Sequence, residues 1–139
     1  MLRLALMVGA VALAPRSAFA LSNAAVSLVS QEIGTACGGA SGRYDPAYVV
    51  ERDLDGDGRA DLLIAHEGIE CDGTGRSAEC GMLACSIRIW LRRGELLELA
   101  VDDLQGYDVA VGAGPTPEIR WVASDGAPVS IRWDRNDFR

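Results

Sequence analysis

The stretch "DLDGDGRADLLI", residues 53–64, sets four aspartates within nine positions and then runs straight into an apolar strand. So much like charge in one short loop is costly by itself. Two unit charges 4 Å apart repel by about 4 kcal/mol at an effective dielectric near 20. A bound cation removes that cost. With Asp53 as position 1, Asp55 and Asp57 fall at positions 3 and 5, Gly58 at 6 and Asp61 at 9. Hard cations such as Ca2+ take several oxygen ligands, and a glycine lets the chain turn sharply among them. Carboxylates at alternate positions of a curled loop converge on one ion, and the backbone carbonyl of Arg59, at position 7, completes the set. The competing reading is a solvated Asp-Gly turn. It accounts for one Asp-Gly pair and leaves the spacing of the other aspartates to chance.

On either side of the loop the chain reads as strands. "AYVVERD" enters it and "ADLLIAHE" leaves it, followed by "CSIRIWLRR", "ELLELAV", "YDVAVG", "PEIRWVA" and "PVSIRW". "DLQG" is expected to break the fourth of these from the fifth, and "SDGA" to form a hairpin turn between the last two. Short connections favour an antiparallel meander. Upstream, "NAAVSLVSQEIGTA" (23–36) places Val26, Val29 and Ile33 at helical spacing with Leu28 beside them, Ser22 or Asn23 as cap and Gly38-Gly39 as stop. Such a helix has one apolar stripe and needs a surface to cover. The expected fold is therefore α+β: one N-terminal helix packed on an antiparallel meander of about six or seven strands, within a single domain over 21–139.

The motif D-x-D-x-D-G-x-x-D between two strands resembles the calcium loop of FG-GAP/VCBS repeats, found in integrin-type β-propeller blades. The similarity covers roughly residues 48–98 and is strong only within the loop. It implies Ca2+ held by Asp53, Asp55, Asp57, the Arg59 carbonyl and Asp61. An EF-hand loop needs an acid at position 12, where this chain has Ile64. The departures are equally plain. A propeller needs about four or more blades, more than this chain can build, and a cysteine-bearing insertion is foreign to the repeat. More broadly the chain resembles short exported proteins of Gram-negative bacteria that join such a loop to a cysteine cluster. That implies a periplasmic or secreted location and no activity.

The start of the chain agrees with export. "MLRLALMVGAVALAPRSAFA" (1–20) has an early arginine, an apolar run too short to span a bilayer, and an Ala-Phe-Ala cleavage signature. It is expected to be a signal peptide. Its loss removes Arg3 and Arg16 and takes the net charge from −7 to −9. So acidic a chain is a poor partner for nucleic acid or an anionic membrane surface, and no stable membrane insertion is expected after cleavage. An unidentified protein or cell-envelope ligand remains as partner. The four cysteines, Cys37, Cys71, Cys80 and Cys85, form an even set in an exported chain and imply two disulfides. Of three connectivities, Cys80–Cys85 with Cys37–Cys71 is favoured. A zinc site is disfavoured because the CxxC spacing is missing and the one histidine lies elsewhere.

Strand alternation sets Arg88, Trp90 and Arg92 on one face, opposite Ile87, Ile89 and Leu91. Arg120 and Arg132 likewise oppose Ile119 with Trp121 and Ile131 with Trp133. These five residues form either a basic, partly aromatic binding face or a solvated one whose arginines pair with Glu98 or Glu118. His66 is the sole imidazole; it reads as a structural residue at the end of a core-facing row. No nucleophile elbow is present and the cysteines are expected to be oxidised, so no enzyme is expected. The sequence points to a calcium-stabilised binding or interaction module. The alternative is a periplasmic inhibitor of a basic hydrolase such as lysozyme, whose inhibitory loop would lie in "EGIECDGTGRSAECG" (67–81).

Overall fold

The computed structural model describes residues 20–139, so the expected signal peptide lies outside the described residues apart from Ala20. Helix α1 spans Asn23–Ala36, capped by the Ser22 hydroxyl, which accepts from the Ala25 amide at 3.2 Å. The strands follow in order: β1 (Gly42–Tyr44), β2 (Val49–Arg52), β3 (Asp61–Ala65), β4 (Ile69–Cys71), β5 (Gly75–Arg76), β6 (Cys85–Arg93), β7 (Leu96–Val111), β8 (Ile119–Val122), β9 (Pro128–Ile131), β10 (Trp133–Asp134) and β11 (Asp137–Phe138). One six-stranded antiparallel sheet, ordered β2-β3-β6-β7-β8-β9, carries the expected meander. Two small antiparallel sheets, β1-β4-β5 and β10-β11, were not foreseen.

Strand β3 explains the layering, because all five of its residues are buried. Its side chains alternate between faces. Leu62 and Ile64 join Val49 and Trp90 beneath the helix, against Ala25, Val29 and Ala36. Leu63 and Ala65 point the other way, into a second core with Leu54, Ile87, Ile89, Leu91, Ile119 and Trp121. The helix thus covers the β2-β3-β6 part of one face, while the sheet curls around the other.

Two details differ from the sequence-based expectation. The covered stripe of α1 runs through Ala25, Val29 and Ala36, with Leu28 and Ile33 at its edge, and Val26 is 50% exposed. Small alanines let the helix lie close to the sheet, so the stripe centres on them rather than on Val26. The segment "DLQG" does not break the chain either. β7 runs through it, pairing with β6 over residues 96–106 and with β8 over 107–111. The change of partner falls at Gly106, where a Cβ would stand 2.2 Å from Trp121 Cδ1 and 2.6 Å from the Val122 carbonyl oxygen. Glycine lets Trp121 pack directly on the strand and the sheet turn there. The irregularities in the two ladders of β7, opposite Ile87–Trp90 of β6 and between Tyr107 and Ala110 against β8, add to that curvature.

Both favoured disulfides are present, and among the described residues no cysteine is free. Cys37–Cys71 ties the end of α1 to β4, and Cys80–Cys85 closes a tight loop at the start of β6. Their sequence separations of 34 and 5 residues make their effects unequal. By loop-closure entropy, removing Cys37–Cys71 with paired serine substitutions should cost about 4 kcal/mol and removing Cys80–Cys85 about 2 kcal/mol. Urea unfolding of the two double variants checks this, and the reverse ranking would contradict it.

Candidate metal centre

The loop between β2 and β3 is built from its own aspartates. Asp53 accepts from the Gly56 and Gly58 amides at 2.7 and 2.8 Å, with both glycines at positive φ (79° and 82°), which side chains other than glycine's resist. Asp55 Oδ1 accepts from the Asp57 amide at 3.1 Å, and Asp57 Oδ1 from the Arg59 amide at 2.8 Å. These successive Asx turns curl the chain. At position 2, Leu54 is fully buried in the inner core and pins the loop to the sheet.

Asp61, the first residue of β3, is fully buried. Its Oδ2 accepts from the Leu54 amide at 2.8 Å and the Asp55 amide at 3.3 Å, and its Oδ1 from the Arg92 amide on β6 at 2.7 Å. Burial pushes its carboxyl above the ordinary aspartate range. Its hydrogen bonds with Arg92 and Leu54 oppose that shift, and the nearby carboxylates of Asp55 and Asp57 add to it. Asp57 is held below the ordinary range, chiefly by the Arg59 amide.

Each of Asp53, Asp55, Asp57 and Asp61 offers an oxygen within 4.8 Å of the others. Oxygens on opposite sides of an ion at about 2.4 Å stand about 4.8 Å apart. That spacing is compatible with one ion shared by the four, and an all-carboxylate set suits a hard cation. Arg59, at the seventh position, donates from its amide to Asp57 and pairs with the same carboxylate through Nη2 at 3.2 Å. A further residue joins the cluster that the sequence did not single out. Arg93 Nη1 lies 3.1 Å from Asp55 Oδ2 and 3.6 Å from Asp57 Oδ2. A signal for it exists, since Arg93 is in phase with Ile87, Ile89 and Leu91 and ends an apolar row with a charge.

The five residues considered as a binding face do not form one. Helix α1 lies over the first three. Trp90 is buried in the helix-side core, Arg88 pairs with Glu32 and with Glu79 (2.9 Å), and Arg92 pairs with Glu51 at 3.2 Å. Arg120 and Arg132 are exposed, the former 3.9 Å from Glu118 and the latter donating to the Thr116 carbonyl at 2.9 Å. Alternation assigned the faces correctly but could not tell that the helix covers one of them.

His66 is fully buried in a polar network that closes the same layer. Its Nε2 donates to Glu32 Oε2 at 2.7 Å, and Arg88 Nη1 converges on the same oxygen. Nδ1 meets the Ser77 hydroxyl at 2.9 Å, while Ser77 Oγ accepts from the Glu79 amide at 3.1 Å. Serine, histidine and glutamate stand in line here, yet Ser77 is buried with its hydrogen bonds spent, which suits a structural brace. Burial raises the Glu32 carboxyl, but the hydrogen bonds from His66 and Arg88 outweigh it and hold it below the ordinary range. Glu32 and Ser77 left no mark in the sequence, because only tertiary packing brings them to His66.

No family model, curated protein or solved structure matches the chain.

Two predictions follow from these carboxylates. Asp61→Ala takes the acceptor from the buried Leu54 and Asp55 amides and the half-buried Arg92 amide and should destabilise the fold by about 2–4 kcal/mol, with or without divalent cation; denaturant unfolding in chelator checks it. Glu32 ionises more readily folded than unfolded. Its stabilisation is therefore complete above its ordinary value of 4.5 and is lost as pH falls through the lower folded value. Glu32→Gln should cost about 1.5–3 kcal/mol at pH 7 and flatten the acid limb of the stability–pH curve. An unchanged acid limb would count against this role.

Proposed function

We propose that the protein is an exported, disulfide-stabilised binding or interaction module whose loop holds calcium, with the ion chiefly structural and no catalysis of its own. The observation that carries this reading is the convergence of Asp53, Asp55, Asp57 and Asp61, each offering an oxygen within 4.8 Å of the rest. The resemblance of D-x-D-x-D-G-x-x-D to FG-GAP/VCBS loops supports calcium over other hard cations, with the Arg59 carbonyl as a further ligand. Two disulfides support a periplasmic or extracellular location, since such bonds persist in oxidising compartments. No helix among the described residues is long and apolar enough to cross a membrane.

Calcium bound here neutralises carboxylates that burial and mutual repulsion disfavour, above all Asp61. Extracellular calcium modules work at about 10⁻⁴–10⁻³ M. With a dissociation constant of about 0.1 mM, calcium at about 1 mM adds about 1.4 kcal/mol, or a rise in Tm of about 5 °C. Magnesium should do less, because it demands a tighter octahedral shell. Asp57→Ala should abolish the calcium response while melting in chelator within about 1 kcal/mol of the parent, its carboxylate being partly exposed. Calorimetry and thermal melts test this; no calcium heat at millimolar concentration, with identical melts in calcium and chelator, would leave only an acidic turn.

One observation favours a second reading, the inhibitor of a basic hydrolase. The Cys80–Cys85 loop holds Met82 and Leu83 out at 94% and 64% exposure, and Arg76 braces it by donating to the Gly81 carbonyl at 2.9 Å. A rigid apolar tip is a form suited to entering a cleft. Inhibition of lysozyme by the parent and not by a Met82→Glu/Leu83→Glu variant would favour it; no inhibition by either would remove it.

A further inference from the structure

Strand β7 changes partner at Gly106, and upstream of that point only one of its edges is used. Residues 96–106 pair with β6, whereas β8 joins only from Tyr107 onward. Among the described residues no other strand pairs with 96–105, and no main-chain hydrogen bond from a loop reaches them. The direction of the open groups follows from Arg92. Its amide is spent on Asp61, away from β7, so Arg92 and Leu97 face each other as a pair without mutual hydrogen bonds. Leu97 therefore turns its amide and carbonyl to the open side, and Leu99, two residues on in the same register, does likewise. Two adjoining clefts of about 250 and 410 Å³ run along this edge. Residues 98–101 line the first and 100–104 the second, without a gap. Side chains of one face would appear only at every second position. The unbroken run means that the groove follows the main-chain edge of the strand. Trp133 and Phe138 of the β10-β11 hairpin supply an apolar wall.

We propose that this groove takes an extended, basic segment of a partner protein, which adds to β7 as a strand in the gap that β8 leaves open. An unpaired edge offers main-chain hydrogen bonds to any strand, so the side chains choose the occupant. Glu98, Asp102 and Asp103 of β7 and Asp137 of β11 line the groove. The arginines near them are engaged elsewhere: Arg93 with Asp55 and Asp57, Arg135 and Arg139 with Asp134, and Arg132 with the Thr116 carbonyl. Carboxylates without a counter-charge disfavour a second copy of the same edge, which would bring acid against acid. They attract lysine and arginine. Leu99, 50% exposed, and the half-buried Phe138 give apolar footing to the residues between. The occupant is thus a segment that alternates basic and apolar residues over about seven positions, the length of 98–104. This gives the binding-module reading a partner of stated chemistry and rests on that reading, but on none of the loop aspartates.

The probe is an N-acetylated, C-amidated heptapeptide of alternating lysine and valine, titrated calorimetrically into the mature protein in calcium and in chelator. It should bind in both. Its analogue N-methylated at every residue should not bind, because it keeps each charge and side chain but has no residue amide to donate. An alternating glutamate–valine peptide should not bind either. Hydrogen exchange at the Leu97 and Leu99 amides should slow at least about tenfold when the lysine peptide is added. Leu99→Pro removes one outward amide and should weaken the peptide by about tenfold. Should that variant not fold, Asp102→Lys/Asp103→Lys, at two exposed positions, should weaken it at least about tenfold. Equal binding of the N-methylated analogue, or protection of other amides in place of Leu97 and Leu99, overturns strand addition. Protection of those two amides that grows with protein concentration without peptide assigns the edge to a second copy and overturns the proposal. Absence of lysine-peptide binding overturns it too, and calcium heat in the same experiment then leaves the calcium reading intact. Peptide binding without calcium heat supports the edge site and removes only the calcium reading.

Discussion

The Asp61 carboxylate is the contact on which the rest of the structure depends. It accepts two amides from the loop, Leu54 and Asp55, through one oxygen and one from the neighbouring strand, Arg92, through the other. A single buried side chain therefore fixes where the acidic loop ends, where β3 begins and how β3 stands against β6. A carboxylate with no exposed surface is expensive to bury, and three backbone donors only partly offset that cost. Because Leu54 is driven into the inner core from within the loop, the loop is held to the sheet by apolar burial as well as by hydrogen bonds.

Strand β3 then passes that constraint to both layers. With one face under the helix and the other inside the curled sheet, it has no solvated side, and its sequence D-L-L-I-A reads accordingly as a continuous apolar run after one charge. Apolar residues on both faces are what the sequence states directly. The helix bounds, the turn at "SDGA", the alternation in β6 and the strands flanking the loop were legible for the same reason: local periodicity and turn chemistry settle them. The long β7 was not. "DLQG" has turn-forming composition, and only the partner strands on either side, with Trp121 packed over Gly106, keep it extended. Local propensity lost to tertiary pairing there.

The candidate site was legible in the same uneven way. Its ligand aspartates stood in the sequence because their spacing is local. Arg93 did not, because its contacts with Asp55 and Asp57 span 38 and 36 residues of chain. Glu32, His66, Arg88 and Ser77 likewise meet only in the fold. Alternation says which residues share a face. It is silent on whether a helix lies over that face, and so three residues that read as a binding surface turned out to be ion pairs and core.

Those ion pairs share one strand. Arg88, Arg92 and Arg93 all come from β6, and each reaches acids on a different element: Glu32 of α1 and Glu79, Glu51 of β2, and Asp55 with Asp57 of the loop. Buried and half-buried pairs add little net stability over apolar packing, but removing one partner leaves the other uncompensated. Such pairs therefore act mainly on geometry, and here they hold the helix, the edge strand and the loop to one central strand. Alternation separates them further. Arg88 and Arg92 lie on the helix side, whereas Arg93 lies on the side of the inner core and the loop. The loop aspartates thus face Arg93 and Arg59 directly, while Arg88 and Arg92 are committed to other acids across the sheet. The electrostatics of the loop can change while those that seat the helix do not.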